Sequence, residues 1–175
     1  IPDYKFRDAL NSKLPRDIVV LESTEVTIDF HSRYSCKGKT YSYTIYNREV
    51  PTSIYRNYVY HCKGELDIDL MQKACKYFIG THDFSAFKNT GSSVKSTTRT
   101  ISDAFITYSG HRIMFTVTGD GFLYNMVRIM VGTLIEIGKK KLKPESIIEI
   151  IESRDRSRAG KSAPALGLCL EEVFY

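Results

Sequence analysis

Tryptophan is missing from the 175 residues altogether, and cysteine occurs only at positions 36, 62, 75 and 169. No C-x-x-C pair exists, and His31, His61, His82 and His111 fall into no ligand spacing such as H-x-x-x-H. A metal site is therefore not expected, and reduced thiols in a cytoplasmic protein are the economical expectation. Long apolar runs are missing too. None approaches the ~20 residues needed to span a bilayer, so no membrane partner is expected. No signal-peptide pattern opens the chain. It starts at Ile1-Pro2 without a Met, and a piece of a longer protein is expected.

The residues that are present have an ordinary globular balance with a basic tilt. Lys and Arg outnumber Asp and Glu by 25 to 20, which is compatible with a polyanion partner without requiring one. Twelve Tyr and nine Phe suit a β-rich core, with some rings able to stack on bases. With one core to fill, residues 1–175 are expected to form a single domain.

Hydrophobic periodicity places the elements. Residues 18–21 and 26–30 are short β-prone runs. Residues 41–46 alternate, with Tyr41, Tyr43 and Ile45 on one face, and 55–62 returns as a further strand. Asp67 is an expected N-cap for a helix running to Phe78 and stopped by Gly80. A polar loop over 88–93 follows. Residues 98–108 and 112–118 read as two strands around a Ser109-Gly110-His111 turn. The most apolar helix is expected over 122–138, followed by Lys139-Lys140-Lys141 at its C-terminus. Pro144 opens another helix, and residues 168–175 form the last strand. The pattern predicts an α+β fold: a mixed or mainly antiparallel sheet with helices packed on one face.

Arg128 is the hardest residue to explain blandly. It is the only charge between Asp120 and Glu136, and an unpaired interior charge costs several kcal/mol. Gly132, one turn on, leaves room for another chain segment or a ligand. The bland alternative is an arginine whose stem covers apolar surface while its head reaches water or a structural acid. Tyr41 heads the alternating strand, where a phenol can stack on an extruded base and exchange a proton; on pattern alone, a tyrosine in a strand reads first as core. Arg154, Arg156, Arg158 and Lys161 suit phosphate contacts, or simply a solvated loop. Gly119-Asp120-Gly121 weakly suggests an anion site before a helix. Thr81-His82-Asp83 offers a hydrolase-like His-Asp pair without an activated nucleophile.

Six blocks in order carry a resemblance. They run over 10–18, 30–35, 39–47, 80–87, 121–132 and 159–170, and include Lys-Thr-Tyr-Ser-Tyr, Gly-Thr-His-Asp-Phe-Ser-Ala-Phe, Met-Val-Arg and Ala-Gly-Lys-Ser-Ala-Pro. In these the chain resembles the tRNA pseudouridine synthase A family from Leu10 to its end. The resemblance implies conversion of uridine to pseudouridine in the tRNA anticodon stem-loop, with no cofactor or metal. It matches Tyr41 to the residue facing the target base, Leu168 to the aliphatic residue on the base's other side, and Arg128 to the arginine that pairs with the catalytic aspartate. Arg33 and Lys39, inside matching blocks, join Arg154, Arg156, Arg158 and Lys161 as expected RNA contacts. It also implies a homodimer bridged by tRNA.

The family's aspartate belongs to an R-T-D-A-G-type loop upstream of Leu10, and that string occurs nowhere here. The expectation is an RNA-binding, active-site half of the enzyme that is inactive alone. A non-catalytic RNA-binding module that keeps the fold is the alternative, separated from the first by whether such a loop is encoded upstream. A generic α+β hydrolase using His82 and Asp83 ranks behind both.

Overall fold

Alternation along residues 38–47 and 98–119 builds the centre of the structure, a computed structural model that describes residues 2–91 and 94–175. These fall into two units, Ile1–Ser35 and Cys36–Tyr175. The smaller holds one helix, α1 (Asp3–Asn11), and otherwise irregular chain. The β-prone runs at 18–21 and 26–30 are not strands, for Leu21 and Ile28 are 84% and 99% exposed. β-branched residues alone make no strand without a partner and a face to bury.

In the larger unit, the strands are β1 (Gly38–Asn47), β2 (Tyr60–Cys62), β3 (Gly80–Asp83), β4 (Thr98–Ser109), β5 (Arg112–Gly119) and β6 (Leu168–Phe174). Their order is β2-β1-β5-β4-β3, with β6 also on β1. β2 runs parallel to β1, and the other pairs are antiparallel. The helices are α2 (Ile68–Cys75), α3 (Met126–Gly138) and α4 (Ser146–Ser153). Tyr43 and Ile45 of β1, Ala104 and Ile106 of β4, and Ile113, Phe115 and Val117 of β5 are buried in one core with these helices. Alternate positions such as Phe105 and Met114 stay partly exposed. Each fully buried Ile or Phe contributes roughly 1.5–3 kcal/mol, so the helix-covered face fixes the register. The expected α+β fold is what forms.

Boundaries differ where non-local contacts intervene. Asp67 does cap α2, accepting from the Leu70 N–H at 3.2 Å. The helix tightens into a 3-10 turn at Lys76–Phe78, and Gly80 opens β3 instead of ending a helix. The strand expected over 55–62 forms only at its end. Ser92 and Ser93 of the expected 88–93 loop lie outside the described residues.

Candidate active site

Helix α3 begins four residues later than the periodicity predicts, because Asn125 turns the chain through the left-handed region (φ 61°). Asparagine tolerates that region better than most side chains. Its side chain caps no backbone N–H; Asn125 Oδ1 instead accepts from Arg128 Nη1 at 3.0 Å. Tyr124 therefore lies outside the helix, although it falls within the expected 122–138. Gly119-Asp120-Gly121 precedes no helix either, and Asp120 Oδ1 accepts from the Thr100 N–H, so the suggested anion site is absent there.

Arg128 is held at two levels. Its Nε donates to the Ala163 carbonyl at 2.6 Å, and its own carbonyl accepts from the Ala163 N–H at 3.0 Å. Among the described residues no carboxylate lies within ion-pairing distance of it. Guanidinium has five N–H donors; with one given to Ala163 and one to Asn125, three remain. Those on Nη1 and Nη2 form the planar fork that grips a carboxylate bidentately. Its described partners are a backbone carbonyl and a neutral amide, not the structural acid of the bland alternative.

The chain that runs past Arg128 is Ala159–Pro164. The space above Gly132 is filled by it: a Cβ on Gly132 would stand 1.7 Å from the Lys161 carbonyl oxygen. A Cβ on Gly160 would meet the α3 backbone at 2.5 Å. Thr133 Oγ1 accepts from the Gly160 N–H at 2.9 Å, and Tyr43 donates its hydroxyl to the Pro164 carbonyl at 2.6 Å. Burial raises the Tyr43 phenol well above its ordinary value, so it stays a donor.

Tyr41 and Leu168 project from the same face of neighbouring strands. Tyr41 pairs with Leu170 and Tyr43 with Leu168, which makes Tyr41 and Leu168 diagonal neighbours. Both are half-buried against the core. Phe122 meets the Tyr41 ring edge-on, with centroids 5.1 Å apart. Burial, and secondarily the Cys36 thiol, raise the Tyr41 phenol above its usual range, so it holds its proton at neutral pH. Tyr43, buried on the same strand, donates to the carbonyl of Pro164, the residue after the Ala163 that holds Arg128.

The remaining expected residues separate. Arg156 is part-buried and bonded to the chain itself, at Asn89 Oδ1 and the Gly160 carbonyl. Arg154 is exposed and pairs with Asp83 at 3.1 Å; Arg158 pairs with Glu149 at 3.3 Å. Lys161 lines an open cavity of about 440 Å³ with Arg158, Lys141 and Glu136. Lys39 is half-buried on β1. Arg33 belongs to the smaller unit, where its guanidinium lies 5.8 Å from the Tyr34 ring centre. Asp83 accepts from Thr97 Oγ1 and the Ser85 N–H besides holding Arg154, and His82 Nε2 contacts the Ile79 carbonyl. The His-Asp pair is structural. Among the described residues no group of three His, Cys, Asp or Glu is placed to hold a metal ion.

Sequence reasoning missed Asn125 and Asn89. An asparagine just before a helix, three residues ahead of a lone arginine, is the signal that could have found the first. Nothing local marks the second.

Residues 74–175 match the family described as tRNA pseudouridine synthase. The chain is 57% identical over its whole length to tRNA pseudouridine synthase A 2 of Clostridium perfringens, covering 72% of that protein. It is 58% identical to tRNA pseudouridine synthase A of Clostridium acetobutylicum and 53% to that of Acetivibrio thermocellus, again over all of this chain and 72% of each relative. The chain belongs to the tRNA pseudouridine synthase family.

Proposed function

We propose that the intact protein converts uridine to pseudouridine in the anticodon stem-loop of tRNA, and that residues 36–175 supply one wall of its active site. The observation that carries this is the Arg128 guanidinium, oriented by two neutral oxygens while its remaining donors have no carboxylate among the described residues. A catalytic aspartate from residues beyond this chain fits that fork. In the reaction the C1′–N1 bond breaks with its electron pair going to the uracil, the ring turns, and C5 bonds to C1′. The C5 proton is then lost and N1 regains one, so the change is an isomerisation.

The extruded base lies between Tyr41 and Leu168. Diagonal strand neighbours stand roughly 7 Å apart, room for one planar ring stacked on both sides. Tyr41, which keeps its proton, stacks and can donate. Lys39, Arg154, Arg158, Lys161 and Arg33 contact phosphates; Arg156, bonded to the chain, is the least available of the six. The intact protein acts in the cytoplasm as a homodimer bridged by tRNA and needs neither cofactor nor metal. Tritium release from tRNA labelled at uridine C5 tests the reading. The full-length protein should release the label and residues 1–175 alone should not. Release by the shorter chain would mean that an acid within it does the chemistry.

A further inference from the structure

We propose that Arg156, bridged by Asn89, is a positioning residue that sets the direction of the Arg128 guanidinium, and is not an RNA contact. The inference rests on the reading of Arg128 given above. Arg156 stands in a run of basic residues whose spacing suits phosphates, yet it turns inward. Its Nε donates to Asn89 Oδ1 at 3.1 Å. Nη1 donates to the carbonyls of Gly160 at 3.0 Å and Ala159 at 3.4 Å, and Nη2 to Ser162 Oγ at 3.4 Å. Four acceptors are thus gathered by one planar fork, a geometry that lysine cannot reproduce. No carboxylate among the described residues pairs with it, and burial lowers its pKa.

Both acceptors of the Arg128 guanidinium trace back to this pair. Asn89 Nδ2 donates to Ser162 Oγ at 3.2 Å, and the next residue, Ala163, provides the carbonyl for Arg128 Nε. The Asn89 N–H donates to the Tyr124 carbonyl at 3.2 Å, and the next residue, Asn125, provides the oxygen for Arg128 Nη1. Removing Arg156 leaves the Ala159 and Gly160 carbonyls short of a donor and frees the 159–163 bend to shift. A shift near 1 Å in a positioning contact costs on the order of 100-fold in rate.

The test is made in the full-length protein, reading single-turnover tritium release at saturating enzyme and tRNA affinity across a salt series. R156Q should slow the chemical step by about 10- to 100-fold while tRNA affinity stays within about three-fold and the salt slope is unchanged. R156K should remain slow, because the fork is lost although the charge is kept. Added methylguanidinium should recover part of the rate of R156A, which a general loss of stability would not allow. N89A should slow the same step, and R156Q/N89A should be no slower than the worse single variant. Should R156Q fail to fold, N89A, which leaves the Arg156 bonds to Ala159 and Gly160 in place, carries the test. An unchanged rate with weaker binding and a salt slope reduced by about one makes Arg156 a phosphate contact and overturns the proposal. R128A serves as the control: full turnover in R128A would sink the reading of Arg128 itself, whatever Arg156 does.

Discussion

Arg156 and Arg158 sit two residues apart in one 3-10 turn, yet they belong to different regions of the molecule. Arg156 faces inward to the wall of backbone carbonyls at 159–163, and its four acceptors are all neutral. Arg158 faces outward to a rim it shares with Lys141, Lys161 and Glu136, and it pairs with the exposed Glu149. An exposed pair of that kind contributes about 0–1 kcal/mol, so a phosphate can displace it easily. The wall is closely packed because α3 and the 159–163 bend meet without intervening side chains at Gly132 and Gly160. Charge spacing cannot tell wall from rim. The decision is made by a close approach between distant parts of the chain.

The wall can be broken directly. G132A places a methyl group against the Lys161 carbonyl oxygen, and overpacking of this kind costs about 3 kcal/mol or more. Thermal or denaturant unfolding of the full-length variant should show that loss, and wild-type stability would mean the bend is not seated on α3.

A smaller effect is expected where the rim meets the sheet, at Asp83. Its carboxyl is held below the usual range chiefly by the Thr97 hydroxyl, with the Ser85 N–H and Arg154 adding to this against the opposing effect of burial. A carboxyl depressed in the folded state adds stability above its unfolded pKa of about 3.9, and that stability is lost as pH falls through the folded value. D83N should therefore cost about 1 kcal/mol at neutral pH, with the gap to wild type closing below about pH 4. A pH-independent gap would count against the charged form as the source. Smallest of all are the rim variants. K161Q and R158Q should each weaken tRNA binding a few-fold and reduce the salt slope by about one, with the chemical step unaffected. A slowed chemical step with an unchanged slope would move those residues into the wall.

What the sequence revealed was mostly local. The β4–β5 hairpin is legible because alternation and a Gly110 turn (φ 57°) lie within one short stretch. The α3 and α4 helices follow from apolar periodicity. Arg128 stood out as a lone charge in an apolar helix, and Gly132 was correctly read as room for a chain segment. That the segment was 159–163, or that a carbonyl 35 residues away would hold the arginine, no local pattern could say. β3 was hidden because Gly80 looks like a helix stop, while its pairing partner Ile101 lies on β4. Asn89 connects two loops and makes its contacts with residues far along the chain.

The central claim is that Arg128 is a preset fork for a carboxylate from outside these residues. Its most direct test is R128A in the full-length protein, with tritium release and tRNA affinity measured side by side. Turnover should fall by at least about 100-fold while affinity stays within a few-fold of wild type. Undiminished turnover, or a loss confined to affinity, would contradict the role assigned to Arg128.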